Sequence, residues 1–378
     1  MWDYMLLLFP IAVVGVSFFG CKKAEKGSFE EEAWSRDQGK RIQAIACLCI
    51  ILHHLTQIIS NYGWNYRGPI TIFNETGFLF TSIFFFFSGY GLITSVHQKE
   101  GYLDHFLRNR LSTVLIPFWV CNIIYILVRL FYNKIQTPVK VIVGHFFGYP
   151  IINDNGWFMI EITILYLVFF LLFRLIKNKD VAMVLLSLFA VGIIAFSIPR
   201  GHDDSPLGNH WFMGEWWYNS TILFVMGMLV ARFKEQVQKF VKKHYKGLLA
   251  TSIVSFVLVF VLVEYLVWTI GFYNPVPVIK GIRNELLVSV PQMLLCIIFV
   301  WFVLLLNLKI SLYSPVLIWI GTISLELYLI HGVFVKHIFD FTNWNVMLMY
   351  GVVFICGIVS AKLLWYVDKA LIKRINRR

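Results

Sequence analysis

The sequence is short of charge. Asp, Glu, Lys and Arg make up only 14% of its 378 residues, whereas soluble domains average about 25%. So few charges exclude a cytosolic enzyme and a disordered chain, and they are too few to build the basic face of a nucleic-acid-binding protein. The charges present are unbalanced, with 33 Lys and Arg against 21 Asp and Glu. A chain that is 58% hydrophobic and carries a net charge of +12 is typical of a membrane protein with basic loops.

Paired cysteines, long loops and internal repeats are also lacking. Five of the six cysteines lie within apolar segments, which favours buried, inert thiols over the disulfide framework of a small secreted domain. No segment between apolar runs is long enough for a separate domain, and there is no fixed-period repeat or low-complexity tract. The sequence therefore predicts an all-α integral membrane protein.

Eleven segments are apolar and approach the length of about 20 residues that a helix needs to cross a membrane. They are 4–20, 42–60, 78–96, 111–132, 157–176, 181–198, 217–233, 248–272, 287–307, 315–336 and 346–368. The first lacks the basic n-region and the A-x-A-like cleavage site of a signal peptide, so we interpret it as an uncleaved helix. The seventh is short and follows a cluster of aromatic residues, which favour the membrane interface.

The Lys and Arg residues predict the orientation of this bundle. One set of alternate loops holds 24 of them and the other set holds 8, with Lys362 inside a span. The richer set consists of 21–41, 97–110, 174–180, 232–247, 307–314 and 369–378. By the positive-inside rule this set is cytoplasmic. We therefore expect a multi-pass plasma-membrane protein with its N-terminus outside and its C-terminus in the cytoplasm.

Polar residues at membrane depth mark a candidate site, because they are costly unless they face a cavity or a partner. The second span carries His53 and His54 about 18–20 Å along the helix from the cations Lys40 and Arg41. An imidazole can take a proton from a hydroxyl and later return it, although a histidine between helices can also serve packing alone. Adjacent side chains on a helix point in different directions, so we expect at most one of the two histidines to be a base.

The third span and the loop after it add a serine and two cations. Ser88 and Tyr90 end an aromatic run, and the serine either contacts a ligand or packs against another helix. Arg108 and Arg110 follow on a short loop at the predicted cytoplasmic edge. Two such cations suit an anionic phosphate, and they are equally typical of ordinary positive-inside anchors.

Two further spans contribute polar residues. Trp157 and Glu161 lie at the start of the fifth span, and Glu326 and His331 lie in the tenth. A separation of five residues puts Glu326 and His331 about 140° apart around a helix, so they cannot both face one point. Together with the histidine pair, these residues predict a polar cavity inside the bundle. No metal site is predicted.

Four segments, in this order, resemble the motifs of acyltransferase family 3, integral membrane proteins that acylate hydroxyls of surface glycans and related acceptors. Residues 43–54 resemble its first-helix motif, in which an arginine precedes a histidine by eleven positions. His54 fits the histidine, whereas Gln43 stands in place of the arginine. The other three segments are the aromatic–Ser–Gly–aromatic run at 84–91, the Arg-x-Arg at 108–110 with the Pro–aromatic sequence at 117–119, and the Ser–x–x–x–Tyr–Leu–x–His at 324–331.

The resemblance covers about residues 37–370 and implies a core of ten helices. Segment 1–36 then supplies an extra N-terminal transmembrane helix and a cytoplasmic loop, and 37–378 forms the acyltransferase domain with a short cytoplasmic tail. The implied activity is transfer of an acyl group, acetyl in the first instance, from a cytoplasmic acyl-CoA such as acetyl-CoA. The implied acceptor is a hydroxyl of a cell-surface polysaccharide or lipid-linked glycan.

The resemblance also implies roles for the polar residues. His54 is the expected general base, acting on the acceptor hydroxyl either directly or through an acyl-enzyme step, and Ser88 or Tyr90 is the expected oxyanion donor. Arg41, Arg108 and Arg110 are expected to bind the phosphates of the donor. The residues expected to bind the acceptor are His53, Trp157, Glu161, Glu326 and His331.

Two alternatives from other functional classes stay open on the sequence alone. A transporter or flippase for a glycan precursor or small solute would also need a polar cavity, although the paired repeats common in transporters are absent. A sensory or scaffold protein that keeps the fold without activity is suggested by Gln43, which departs from the motif arginine.

Overall fold

The computed structural model describes residues 2–61, 70–201, 211–271, 281–340 and 344–376. Within these ranges the chain is mostly helical, and one short antiparallel ladder pairs β1 (Lys22–Lys23) with β2 (Ile310–Ser311). This confirms the prediction of an all-α membrane protein. Two cations of the poorer loop set, Arg67 and Lys280, lie outside the described residues.

The helices follow one another with short connections. In chain order they are α1 (Trp2–Met5), α2 (Leu8–Phe18), α3 (Arg36–Asn61), α4 (Gly77–Gln98), α5 (Ser112–Leu127), α6 (Val139–Phe147), α7 (Gly156–Leu175), α8 (Lys179–Ser197), α9 (Ile222–Arg232), α10 (Lys234–Lys243), α11 (Tyr245–Tyr265), α12 (Ile282–Asn307), α13 (Pro315–Thr322), α14 (Ser324–Val333) and α15 (Val346–Asn376). Short 3₁₀ segments lie at Thr71–Glu75, Ile198–Arg200 and Glu215–Trp217, and π-helical segments at Leu107–Leu111, Val128–Tyr132, Leu266–Ile270 and Phe334–Ile338.

Eight helical stretches within the described ranges are long and apolar enough to cross a membrane, and α13 with α14 and its π-helical end form a ninth candidate bent by 72°. The first and seventh predicted spans correspond to α2 and α9, which have 11 residues each. At 1.5 Å per residue such a helix is about 16 Å long, well short of the ~30 Å hydrocarbon core. The protein is therefore a multi-pass membrane protein, and the count of eleven spans is not confirmed.

The contacts between loops separate the two ends of the bundle. At one end β1 pairs with β2, Arg174 binds Asp104 at 2.7 Å, and Arg232 binds Asp180 at 2.6 Å. Each of these contacts joins two loops of the cation-rich set. At the other end Trp211 donates to the Gly148 carbonyl at 2.8 Å, and this contact joins two loops of the cation-poor set. The side of the membrane on which each end lies stays a prediction.

The bend between α13 and α14 positions the predicted His331 helix. Pro315 occupies the first turn of α13, where its missing N–H costs nothing, and the Ser314 hydroxyl accepts from the Leu317 amide. The chain turns at Ile323, after which α14 lies against α3 and α15. The bend therefore brings His331 beside the histidine pair of α3.

Two glycines allow α4 and α9 to cross closely. A Cβ at Gly89 would overlap the Phe224 carbonyl oxygen, and a Cβ at Gly227 would overlap the Phe86 carbonyl oxygen. The contact is reciprocal, so each backbone lies where the other helix lacks a side chain. This is the small-residue packing that membrane helices use in place of a hydrophobic driving force.

We predict that Gly227→Ala lowers the thermal stability of the detergent-solubilised protein by several degrees. The added methyl group must push α9 away from α4, and overpacking of this kind costs about 1–3 kcal/mol. The measurement is fluorescence size-exclusion chromatography of heated samples. It gives the temperature at which half of the monodisperse peak is lost.

The matched control is Gly192→Ala, also within a helix but with no atom within 4 Å of the new Cβ. Alanine there should leave the midpoint unchanged or raise it slightly, because glycine is the poorer helix former. Equal effects of the two substitutions would contradict the close α4–α9 crossing.

Candidate active site

A polar cavity of about 390 Å³ lies within the bundle, on the side of the cation-poor loops. Its walls come from α3, α4, α5, the start of α7 with the segment before it, the segment 216–220 before α9, and α14 with its π-helical extension. Of the predicted site residues, His53, His54 and Trp157 line it directly. The structure therefore contains the polar cavity that the sequence predicts, and the histidine pair of α3 is part of its wall.

His54 and His331 form a hydrogen-bonded pair. The His54 Nδ1 lies 2.7 Å from the His331 Nε2, and the two rings stack with centroids 5.0 Å apart. The His331 Nδ1 lies 3.0 Å from the Leu327 carbonyl oxygen of its own helix, and His331 is fully buried. The pair joins α3 to α14 across 277 residues of sequence.

This geometry determines the tautomers of the two neutral rings. A carbonyl oxygen can only accept, so the proton of His331 is on Nδ1 and its Nε2 has the lone pair. The His54 Nδ1–H then donates to that lone pair. The remaining His54 nitrogen, Nε2, has a free lone pair, as a general base requires. In this arrangement the imidazole of His331 orients the imidazole of His54.

His53 has a different partner from its neighbour. Its Nδ1 lies 2.7 Å from the carbonyl oxygen of Phe73, in the 3₁₀ segment that precedes α4. The ring packs on the backbone of Gly77, where a Cβ would overlap it. Both histidines therefore line one cavity, but each is held by a separate element of the fold.

The segment 153–155 forms a wall that the sequence analysis did not single out. The Asn153 amide donates to the Leu329 carbonyl at 3.0 Å, and the Asn155 amide donates to the Tyr328 carbonyl at 3.2 Å. Tyr125 donates to the same Leu329 carbonyl at 3.3 Å. The signal in the sequence was the run Asn153-Asp154-Asn155 directly before an apolar helix.

Aromatic and charged side chains line the rest of the cavity. Trp157, Trp216 and Trp217 contribute indole rings, and the rings of Trp157 and Trp217 lie 5.9 Å apart. Lys336 and Asp154 form an ion pair at 2.5 Å that links the π-helical extension of α14 to the segment before α7. The cavity thus combines aromatic faces with amide, carboxylate and ammonium groups.

Ser88 and Tyr90 do not line the cavity. They lie seven and nine residues along α4 from Thr81, which does line it, and this amounts to roughly 10–14 Å of helix. Tyr90 is buried beside Phe86, and its hydroxyl has no partner within the described residues. These positions do not support the expectation that either residue stabilises an oxyanion at His54.

Glu161 and Glu326 are also buried outside the cavity lining. Glu161 lies one turn after Trp157 and accepts from the Thr221 hydroxyl at 2.6 Å, which holds the start of α9 against α7. Glu326 lies a turn and a half before His331 on α14, so it faces away from the histidine pair. Direct contact of either carboxyl with an acceptor is therefore not supported.

The three predicted donor-binding arginines lie at the cation-rich end. Arg41 donates to the Leu312 carbonyl at 2.6 Å, and Arg110 donates to the Tyr102 hydroxyl at 3.2 Å. A Cβ at Gly91 would lie 3.8 Å from an Arg110 guanidinium nitrogen, so Arg110 reaches the α4 backbone. Arg108 is exposed. No described group of three or more His, Cys, Asp or Glu side chains could hold a metal ion.

Glu75 ends the 3₁₀ segment whose Phe73 carbonyl holds His53. Burial, together with the charges of Glu264 and Glu215, raises the pKa of its carboxyl from the ordinary 4.5 to about 7. A raised pKa means that the folded state favours the protonated acid. The protonated Glu75 carboxyl therefore stabilises the folded state fully below about pH 4.5, and this stabilisation is lost as the pH rises through 7.

We predict that Glu75→Gln stabilises the protein at pH 8 relative to wild type and has little effect at pH 4.5. The amide resembles the protonated acid and removes the repulsion from Glu264 and Glu215. Thermal midpoints measured from pH 4.5 to 8.5 should show a difference between variant and wild type that grows with pH. The exposed Glu235 of α10 supplies the control Glu235→Gln, whose difference should stay flat. A difference for Glu75→Gln that is independent of pH would contradict this description of the segment.

Comparison with known proteins identifies the family of this chain. A family model described as an acyltransferase domain, that of acyltransferase family 3, matches residues 41–366. The matched range includes the histidine pair, the cavity-lining segment 153–155 and His331. No curated protein and no solved structure matches the chain. Because the match spans most of the 378 residues, the chain belongs to acyltransferase family 3 and is a multi-pass membrane acyltransferase.

Proposed function

We propose that the protein is an O-acyltransferase that moves an acyl group from an acyl-CoA to a hydroxyl. The preferred acyl group is acetyl, and the preferred donor is acetyl-CoA. The observation that carries the proposal is the His54–His331 pair, which leaves the His54 Nε2 as a base within a polar cavity. The acceptor is a cell-surface polysaccharide or a lipid-linked glycan. The donor enters from the cytoplasm, and the acceptor enters from the opposite side of the plasma membrane.

The proposed chemistry is a direct transfer. The His54 Nε2 takes the proton of the acceptor hydroxyl as the hydroxyl oxygen attacks the thioester carbonyl carbon. The tetrahedral intermediate then collapses, the carbon–sulfur bond breaks, and the thiolate of CoA takes the proton back from His54. An ester bond replaces the thioester bond, and no oxidant or metal is needed.

The oxyanion of this intermediate needs a hydrogen-bond donor other than Ser88 or Tyr90. An amide nitrogen has two hydrogens, and Asn155 uses one of them on the Tyr328 carbonyl. We propose that the second hydrogen of Asn155 faces the oxyanion. The bond to α14 would hold the amide in place before the charge develops.

The donor is proposed to lie along α3. Thirteen residues separate Arg41 from His54, which corresponds to about 20 Å of helix. A donor whose phosphates lie at Arg41, Arg108 and Arg110 must therefore deliver its thioester through a long, thin arm. The arm of an acyl-CoA has this shape, and its phosphates suit the planar, multi-donor guanidinium groups.

A sugar acceptor fits the cavity lining. Indole rings such as those of Trp157, Trp216 and Trp217 provide flat apolar faces for the C–H faces of sugar rings. Amide and charged groups such as Asn155 and Lys336 are suited to hydroxyls and substituents of the sugar. The mixture of aromatic walls and a few polar groups is the usual composition of a small-molecule site.

We predict that His54→Ala lowers acyl transfer by about 10²–10⁴-fold, the usual contribution of a general base. His331→Ala should also lower transfer, because the His54 ring loses its orientation. His331→Gln should restore part of the activity, because a glutamine oxygen can accept from the His54 Nδ1–H. The measurement is release of CoA from acetyl-CoA by purified protein, together with mass spectrometry of surface glycans from cells that carry each variant.

His97→Ala is the matched control, since the imidazole of His97 hydrogen-bonds to the Ile93 carbonyl of its own helix. It should leave transfer unchanged. Full activity of His54→Ala would eliminate His54 as the base. If the glycan reaches the surface unacylated and the wild-type protein releases no CoA, the alternative of a transporter or flippase is favoured instead.

The arginines are expected to act on the donor alone. We predict that Arg108→Ala with Arg110→Ala raises the KM for acyl-CoA by at least tenfold, since each hydrogen bond to a charged group contributes about 1.5–3 kcal/mol. The KM for the acceptor should not change. Lys373→Ala with Arg374→Ala removes two cations near the end of α15 and serves as the control. An unchanged KM for acyl-CoA in the arginine variant would show that these cations are only topological anchors.

A further inference from the structure

An apolar crevice separates the N-terminal helix from the rest of the bundle. It has a volume of about 260 Å³ and lies between α2 on one side and α3, α4 and α12 on the other. Its walls include Val13, Ile45, Leu52, Phe80 and Phe299. The α2 wall precedes the range matched by the family, which begins at residue 41.

The polar side chains in this lining are already satisfied by the protein. The Ser17 hydroxyl donates to the Val13 carbonyl at 2.6 Å. The Asn307 amide accepts from the Trp34 amide at 2.9 Å and donates to Gln38 at 3.1 Å. The crevice therefore offers its occupant apolar contact and no vacant hydrogen bond on these residues, as a hydrocarbon chain requires.

The size of the crevice favours a thin occupant. The helices α2 and α3 contact each other directly beside the crevice, and a third helix, about 10 Å across, does not fit between two helices in contact. The crevice extends along α3 from Ile42 to Leu52, about 15 Å of helix. A single acyl chain that lies parallel to α3 has the required shape.

Three cations surround one end of the crevice, where Ile310 and Leu312 line it. Lys23 pairs with Ile310 in the β1–β2 ladder, and Arg41 donates to the Leu312 carbonyl. Lys22 and Arg41 lie over the same Tyr313 ring, 4.8 and 4.9 Å from its centroid.

No carboxylate of the described residues forms an ion pair with these three cations. Two carboxylates at this end accept from hydroxyls instead: Glu32 accepts from Tyr313, and Glu30 accepts from Ser311. Positive charge at the end of an apolar crevice complements a lipid whose headgroup is anionic.

We propose that this crevice binds one acyl chain of an anionic phospholipid, whose phosphate lies against Lys22 and Lys23. The lipid fills the space between α2 and the rest of the bundle, and it holds α2 against the bundle. Leu52 and Phe73 form part of the same wall. Leu52 precedes His53, and the Phe73 carbonyl holds the His53 ring, so the lipid also supports the back of the histidine site.

The test is native mass spectrometry of the full-length protein, titrated in detergent with phosphatidylglycerol or with phosphatidylcholine of the same chains. We expect one phosphatidylglycerol to bind more tightly than phosphatidylcholine. Lys22→Ala with Lys23→Ala should weaken phosphatidylglycerol binding by roughly ten- to thirtyfold, since a basic residue near an anionic lipid contributes about 1 kcal/mol. Lys373→Ala with Arg374→Ala should leave it unchanged.

A second pair of variants tests the apolar part. Val14→Trp places an indole in the crevice from an exposed position of α2, and Ile11→Trp places one on α2 outside the crevice lining. The first should weaken binding of both lipids at least tenfold, and the second should not. Equal affinity for the two lipids, or binding that withstands both Val14→Trp and the lysine substitutions, would overturn the proposal. These outcomes are independent of acyl transfer.

Discussion

The hydrogen bond between His54 and His331 is the interaction on which the rest of the site depends. It connects the long helix α3 to the bent pair α13–α14, and it forms only because the turn at Ile323 brings α14 beside α3. The Leu327 carbonyl sets the proton of His331, and His331 in turn sets the proton of His54. One backbone carbonyl thereby determines which nitrogen of the proposed base has its lone pair free. In a low-dielectric interior such a bond is stronger than in water, and a missing partner is more costly.

The bundle around this bond divides the site into two ends. The indole rings and side-chain amides lie on the side of the cation-poor loops, while Arg41 and Arg110 lie on the side of the cation-rich loops. About 20 Å of α3 connects the two. The proposed reaction, between a water-soluble donor on one side and a surface glycan on the other, requires this separation. The apolar crevice beside α3 shares no lining residue with the polar cavity.

The sequence predicted the features that are local or periodic. Apolar segments of sufficient length indicated the bundle, and the histidines at membrane depth indicated the cavity. The resemblance of 324–331 to a family motif selected His331, although its contact with His54 spans 277 residues and no local pattern could predict it. Asn153, Asn155 and Tyr125 were missed because their partners are backbone carbonyls of α14, more than 170 residues away. Ser88 and Tyr90 were chosen from a motif, without knowledge of how far along α4 the cavity extends. The short helices α2 and α9 show the same limit, since an apolar run does not reveal how much of it is helical.

The central claim is that His331 holds His54 as the tautomer protonated on Nδ1. Solid-state ¹⁵N NMR of the protein labelled at histidine nitrogens measures this directly, with the His54 signals assigned from their loss in His54→Ala. We expect a neutral His54 ring with a protonated Nδ1, an unprotonated Nε2 and a through-bond or through-space correlation to the Nε2 of His331. A His54 ring protonated on Nε2, or one without a correlation to His331, would contradict the account.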